Sequence, residues 1–196
     1  GPESIVGQIR PVITSAEVNR AKFQKKSFAA AWDNQFGSWE YQAVMNKERG
    51  TEIIIDWSDN TSVKMSAAQL YDLVFESNNQ WMLSANGTIF TYEFEAIIPG
   101  LLKRWYAERQ EMQRKMNECG DNEIEREFWD KRQLVEKINL NSLYGAILNP
   151  GCRFFDKRIG QSTTLSGRQI SKHMAAKINE VITGEYNHVG LSLIHI

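Results

Sequence analysis

An α+β fold is what this 196-residue chain predicts, with small antiparallel strands early and an antiparallel two-helix arm later. Three observations carry that reading. Between residues 51 and 90, short runs rich in β-branched and aromatic residues are broken by Ser58-Asp59-Asn60 and Asn86-Gly87, which are turn signals. Residues 98–149 carry two long stretches with apolar residues three and four apart, the period of a helix buried on one side. A third helical stretch runs from about Thr164 to Thr183 and is closed by Gly184.

Taken in order, the first helix covers Thr14 to about Trp32, with Thr14 and Glu17 at capping-box spacing. Strands follow over Trp39–Asn46, Thr51–Trp57 and Ser62–Met65, and Ser66 caps a short helix to Phe75. Trp81–Phe90 reads as a hairpin turning at Asn86-Gly87. Pro99 suits a first helical turn, and Gly120 the position just past a helix end. Asn122 caps the next helix, with Glu125 completing a capping box, and that helix ends near Asn149-Pro150-Gly151. The turn between the two helices is short, so they are antiparallel neighbours of roughly 30 and 39 Å.

On the first limb Leu102, Trp105, Met112, Met116 and Cys119 follow coiled-coil spacing, and Arg109 is the charged residue in that register. Ile124, Phe128, Val135 and Ile138 are expected to answer from the second limb. A cation on such a seam costs desolvation unless an anion meets it. An acid across the hairpin, snorkelling at a frayed edge or a bound anion would each serve.

Composition narrows the class. The chain is 42% hydrophobic and 11% aromatic, enough for one or two domains. Cys119 and Cys152 form neither a disulfide framework nor a metal-ligand pattern, and three scattered histidines do not suggest zinc. The best apolar run, Ala96–Leu102, is interrupted by Pro99 and Gly100, so no membrane span is expected, and no signal peptide is recognisable. A reducing, soluble compartment is the expectation. The net charge of −1 conceals a division: residues 37–98 sum to −6 and residues 137–177 to +6. The basic segment either faces a phosphate backbone or is balanced by the acidic segment in space. Asp56, Asp59 and Asp72 lie at turns or on helix surfaces and read as solvated acids.

In a helix, Lys137, Asn141 and Tyr144 fall at i, i+4 and i+7 on one face. A cation, an amide and a flat phenol in a row match what a nucleoside triphosphate presents: phosphate, polar edge and sugar or base plane. Gly145 removes a side chain beside them. A solvated lysine next to a half-buried tyrosine gives the same letters, so spacing leaves both readings open.

The wording goes further. Lys137-x-x-x-Asn141-Ser142-Leu143-Tyr144-Gly145 resembles motif B of the family B (polymerase-alpha-like) DNA polymerases, in the form of T-even-type phage replicases. The likeness continues through Arg153-Phe154-Phe155-Asp156-x-Arg158, Gly167-Arg168-Gln169 and Lys177-Ile178-Asn179-Glu180, covering about half the chain closely. It implies a palm-associated segment over residues 1–97 with a family-divergent insertion, a fingers hairpin over 98–149 ending in motif B, and a return to the palm over 150–190. Arg109 aligns with the fingers arginine and Lys137 with the motif B lysine that grip the incoming triphosphate, and both are expected toward the root of the arm. Asn141 backs the nucleotide pocket, while Tyr144 and Gly145 floor the nascent pair. The resemblance also implies DNA contacts for Arg153, Lys157, Arg158, Arg168 and Lys172. Gln113 departs from the pattern, since phage members usually carry a lysine there.

The resemblance implies template–primer DNA and deoxynucleoside triphosphates as partners, two Mg2+ ions, a sliding clamp reached through other regions, and an infected bacterial cell as location. Pro2-Glu3-Ser4-Ile5-x-Gly7 resembles the segment directly after motif A, so both metal-holding aspartates are expected outside residues 1–196 and this segment alone is expected to be inactive. Residues 191–196 read as a non-native tail, because the bases that encode Leu-Ser-Leu-Ile-His-Ile resemble a transposon end used in sequencing libraries; a native edge strand is the ordinary alternative. The rival to the polymerase reading is a non-enzymatic helical-hairpin module that binds nucleic acid or protein.

Overall fold

The structure is a computed structural model and describes residues 2–22 and 28–186, with backbone only at 28–30. The tail at 191–196 lies outside the described residues. The fold is α+β, with seven α-helices and one five-stranded antiparallel sheet among the described residues. The chain forms two compact units: Gly1–Glu3 with Phe94–Gly160, and Ser4–Glu93 with Gln161–Ile196.

The second of these holds the sheet. Its strands are β1 (Ile5–Ile9), β2 (Glu52–Trp57), β3 (Ser62–Ser66), β4 (Trp81–Leu83) and β5 (Thr88–Thr91), in the order β3-β2-β1-β5-β4. Every pairing is antiparallel. The β4–β5 hairpin turns where expected: the Gly87 amide donates to the Ser84 carbonyl at 2.9 Å. Gly87 has φ +79°, a conformation in which a Cβ would also lie 2.8 Å from that of Ile9.

Helices α1 (Ser15–Lys22), α2 (Phe28–Asn34), α3 (Ser38–Met45) and α4 (Ala67–Tyr71), the last continued by a π-helical turn over Asp72–Glu76, belong to the same unit. Ala43 and Val44 of α3, and Ala67 and Leu70 of α4, join Ile9, Ile53, Ile55, Val74 and Ile89 in one core. Burying each larger aliphatic side chain there contributes about 1.5–3 kcal/mol. Two caps behave as the sequence suggests. The Thr14 amide donates to Glu17 at 2.6 Å and the Glu17 amide to the Thr14 hydroxyl at 3.4 Å. Ser66 caps α4 in a full capping box with Gln69.

The stretch expected as a strand over Trp39–Asn46 is helix α3. Its alternating aromatic letters mislead because the residues that turn inward are Glu40, Ala43 and Val44, at helical spacing, while Trp39 and Met45 stay exposed. The expected helix from Thr14 to Trp32 is represented by α1 and α2, and the residues between them lie outside the described set.

Glu40 is 1% exposed. One carboxylate oxygen accepts from the Val12 amide at 2.6 Å, and the other is buried with no hydrogen-bond partner. Burial pushes its carboxyl above the ordinary 4.5, against the lowering effect of the Val12 amide. An acid raised in the folded state stabilises the fold fully below its ordinary value, and that contribution is lost as pH rises through the raised one. Denaturant titration should therefore show Glu40→Gln about 1 kcal/mol more stable than wild type near neutral pH. The gap should vanish below 4.5; equal stability of the two proteins at both ends would contradict this placement of the charge.

The remaining unit is built on α5 (Ile97–Glu118) and α6 (Glu123–Ile147). α7 (Lys157–Thr183) starts seven residues ahead of the expected Thr164, because Asp156 accepts from the Arg158 amide at 2.8 Å as an N-cap does. From Gln161 onward α7 belongs to the sheet-bearing unit, where the Ser162 hydroxyl donates to the Thr88 hydroxyl at 3.1 Å.

Candidate nucleotide-binding hairpin

The α5–α6 hairpin follows from its ends. Pro99 lies in the first turn of α5, and Gly120, just past the C-cap Cys119, adopts φ +53°, which an L side chain rarely takes. The Asn122 side chain accepts from the Glu125 amide at 3.3 Å. Glu125 completes only half of the expected box, since its carboxylate takes the Asn122 side-chain amide at 3.2 Å instead of the backbone N–H.

The α5 seam is the expected one: Leu102, Trp105, Arg109, Met112, Met116 and Cys119 are all partly buried. The α6 seam is not. Ile124, Phe128, Val135 and Ile138 are 50–84% exposed. Trp129, Gln133, Glu136, Asn139, Leu140, Leu143 and Ala146 are the partly buried residues, with Ile147 buried below them. The face is rotated by about one residue, roughly 100°. The physical reason lies in Arg109, whose Nε donates to the Gln133 side-chain oxygen at 3.2 Å. A seam with a cation at its centre takes polar companions there, so apolar letters point to the wrong side of α6. That contact also lies near mid-hairpin, tipward of the root position expected from the sequence.

Lys137 is one turn beyond Gln133 on α6 and exposed, as is Asn141 one turn further. Tyr144 is 37% exposed, and its hydroxyl donates to the Gly160 carbonyl at 3.4 Å. A Cβ at Gly145 would meet nothing within 4 Å, so the space beside Tyr144 is open. Gln113 is a partly buried member of α5. Lys103, Arg104, Arg114, Lys115 and Lys131 are matched to acids. Arg109 and Lys137, like Arg126 and Arg132 nearer the tip, have no acid within ion-pair distance among the described residues. Gln133 is the partner of Arg109 that sequence reasoning missed. Its signal was its place four residues before Lys137, extending the Lys137–Asn141 row by one turn.

The basic residues after the hairpin divide. Arg153 and Lys157 are exposed, Arg153 with its guanidinium 5.9 Å from the Phe154 ring centroid. Arg158 is paired with Asp156 at 2.7 Å. Burial pushes the Asp156 carboxyl up, but hydrogen bonds from the Arg158 guanidinium and backbone outweigh it and hold the carboxyl below its ordinary range. Arg168 and Lys172 both converge on Asp33 of α2. The Arg168 Nε lies 2.8 Å from one carboxylate oxygen and the Lys172 Nζ 3.1 Å from the other. These side chains are 16% and 8% exposed, and that of Asp33 is 7%.

Asp56 is paired with Arg10 and Ser62, and Asp59 accepts from Thr61, so both have local structural roles. Among the described residues no cluster of three or more His, Cys, Asp or Glu could hold a metal ion. The residues described do not fit a two-metal centre. Among the same residues no helix is long and apolar enough to cross a membrane.

An exposed lysine and asparagine in a row, an open glycine beside a half-exposed tyrosine and a helical hairpin that carries them fit the class of nucleotide-polymerising proteins, and sequence comparison makes the class specific. The family described as "DNA polymerase family B" matches residues 53–192. The chain belongs to the family B DNA polymerases. It is 37% identical over 91 residues to a DNA polymerase of Pyrococcus glycovorans, covering 46% of this chain and 12% of that protein. A DNA polymerase of Desulfurococcus sp. (strain Tok) is 35% identical over 94 residues, 48% of this chain and 12% of the relative. One from Phaeocystis pouchetii virus is 31% identical over 99 residues, 50% of this chain and 9% of the relative. The chain thus spans a small part of the length of the relatives it matches.

Proposed function

We propose that this chain is the fingers hairpin and adjoining palm of a replicative DNA-directed DNA polymerase of a T-even-type phage. Residues 1–97 and 150–190 would be the palm portions and 98–149 the fingers. The hairpin binds the triphosphate of an incoming deoxynucleotide through Arg109 and Lys137. The observation that carries the reading is that Arg109 of α5 meets Gln133 of α6 one turn before the exposed Lys137, and neither cation is matched to an acid among the described residues. Asn141 backs the nucleotide, and Tyr144 with Gly145 forms the floor under the new base pair. Arg153 and Lys157 contact template–primer backbone, whereas Arg158, Arg168 and Lys172 could do so only by exchanging their carboxylate partners for phosphate.

In this reading Mg2+ and the sliding clamp are engaged by parts of the polymerase outside this chain, in an infected bacterial cell. The 196-residue chain alone binds nucleotide without extending a primer. Titration with thymidine mono-, di- and triphosphate, followed by the fluorescence of Trp105 and Trp129, tests this. Affinity should rise with phosphate number, and Lys137→Ala should weaken triphosphate binding by about 1.5–3 kcal/mol, the worth of a hydrogen bond to a charged group. Equal affinity for all three nucleotides, unaltered in Lys137→Ala, would favour a binding module instead.

A further inference from the structure

We propose that Gln133 is a positioning residue for Arg109, a neutral clasp that fixes the guanidinium without cancelling its charge. The inference rests on the triphosphate reading above. Arg109 Nε is held at 3.2 Å by the Gln133 side-chain oxygen. Which end of that amide faces Arg109 is settled on its other side, where the Gln133 nitrogen donates to the Asp130 carboxylate at 2.9 Å. A carboxylate accepts only, so it takes the amide N–H and turns the carbonyl toward the guanidinium.

The choice of an amide is informative because acids are close at hand. Asp130 lies three residues before Gln133, and Glu136 three residues after it. Neither comes within ion-pair distance of Arg109 among the described residues. Glu136 even keeps one carboxylate oxygen buried without a hydrogen-bond partner. A carboxylate in the place of Gln133 would hold Arg109 more tightly and would neutralise it. The amide occupies Nε alone, and the two terminal nitrogens, which grip phosphate in a bidentate manner, meet no acceptor among the described residues. Gln133 therefore ties α5 to α6 beside Lys137 and presents a directed, fully charged fork.

The test is dTTP titration of the 196-residue chain by tryptophan fluorescence, with thermal midpoints recorded in parallel. Gln133→Glu should weaken dTTP binding about tenfold or more while the midpoint holds or rises, because the new carboxylate pairs with Arg109. Gln133→Ala should weaken it less, since it loosens the guanidinium but leaves its charge. In an Arg109→Ala background, Gln133→Glu should have little further effect, since it acts through Arg109. Wild-type affinity in Gln133→Glu alongside weak binding in Arg109→Ala would overturn the positioning role and leave the triphosphate reading standing. An undiminished effect of Gln133→Glu without Arg109 would also overturn it, by showing that the new charge repels the nucleotide directly. Wild-type affinity in Arg109→Ala itself, or absent binding in the wild type, would remove the triphosphate reading and this inference with it.

Discussion

Replacing Asp33 by alanine should destabilise the sheet-bearing unit by about 3–5 kcal/mol, a large part of a small domain's stability. Asp33 is the carboxylate that meets both Arg168 and Lys172, and all three side chains are at most 16% exposed. Removing it leaves two buried cations with no anion, each having lost its hydration on folding. Asp33→Asn should cost nearly as much, because the cavity stays filled but the charge is gone. Arg168→Ala should cost less, because the Lys172–Asp33 pair survives it. Denaturant midpoints of the three variants check the order, and an Asp33→Ala protein within about 1 kcal/mol of wild type would show that the cluster is solvated.

The second large effect is on nucleotide use. In the complete polymerase, Arg109→Ala with Lys137→Ala should lower kcat/KM for deoxynucleotide by about 3–6 kcal/mol, or two to four orders of magnitude, if each cation contributes one charge-assisted bond. Template–primer affinity measured without nucleotide should stay near wild type, because neither residue is among the proposed backbone contacts. A double variant that lost DNA affinity and kept its nucleotide KM would assign these cations to the wrong anion.

How much of this the residues declare depends on range. Local signals were legible: Thr14 with Glu17, Ser66, Asn122 and Gly120 each mark the helix end they occupy, since a cap is decided within a few residues. The placement of Lys137, Asn141 and Tyr144 along one helix was legible too, because their spacing is fixed by it. What failed was judged by apolar letters where a buried polar group governs the packing. Glu40 turns α3 inward at a place that alternation assigned to a strand, and Arg109 meets Gln133 in a seam that Phe128 and Val135 were expected to fill. The Asp33 cluster was illegible because its partners stand 135 and 139 residues away, and no local pattern encodes that meeting.

That internal pairing reshapes the basic stretch between residues 137 and 177. Arg158, Arg168, Lys172 and Lys177 each have a carboxylate partner, which leaves Lys137, Arg153 and Lys157 as the uncompensated charges of the stretch among the described residues. All three belong to the hairpin-bearing unit. A polyanion arriving there would displace the counterions of about three phosphates instead of seven, and the logarithm of its association constant would fall with that of ionic strength at a slope of roughly −2 to −3. The stretch would then act as a shallow electrostatic foothold, with selectivity left to the geometry of whatever fits between its three charges.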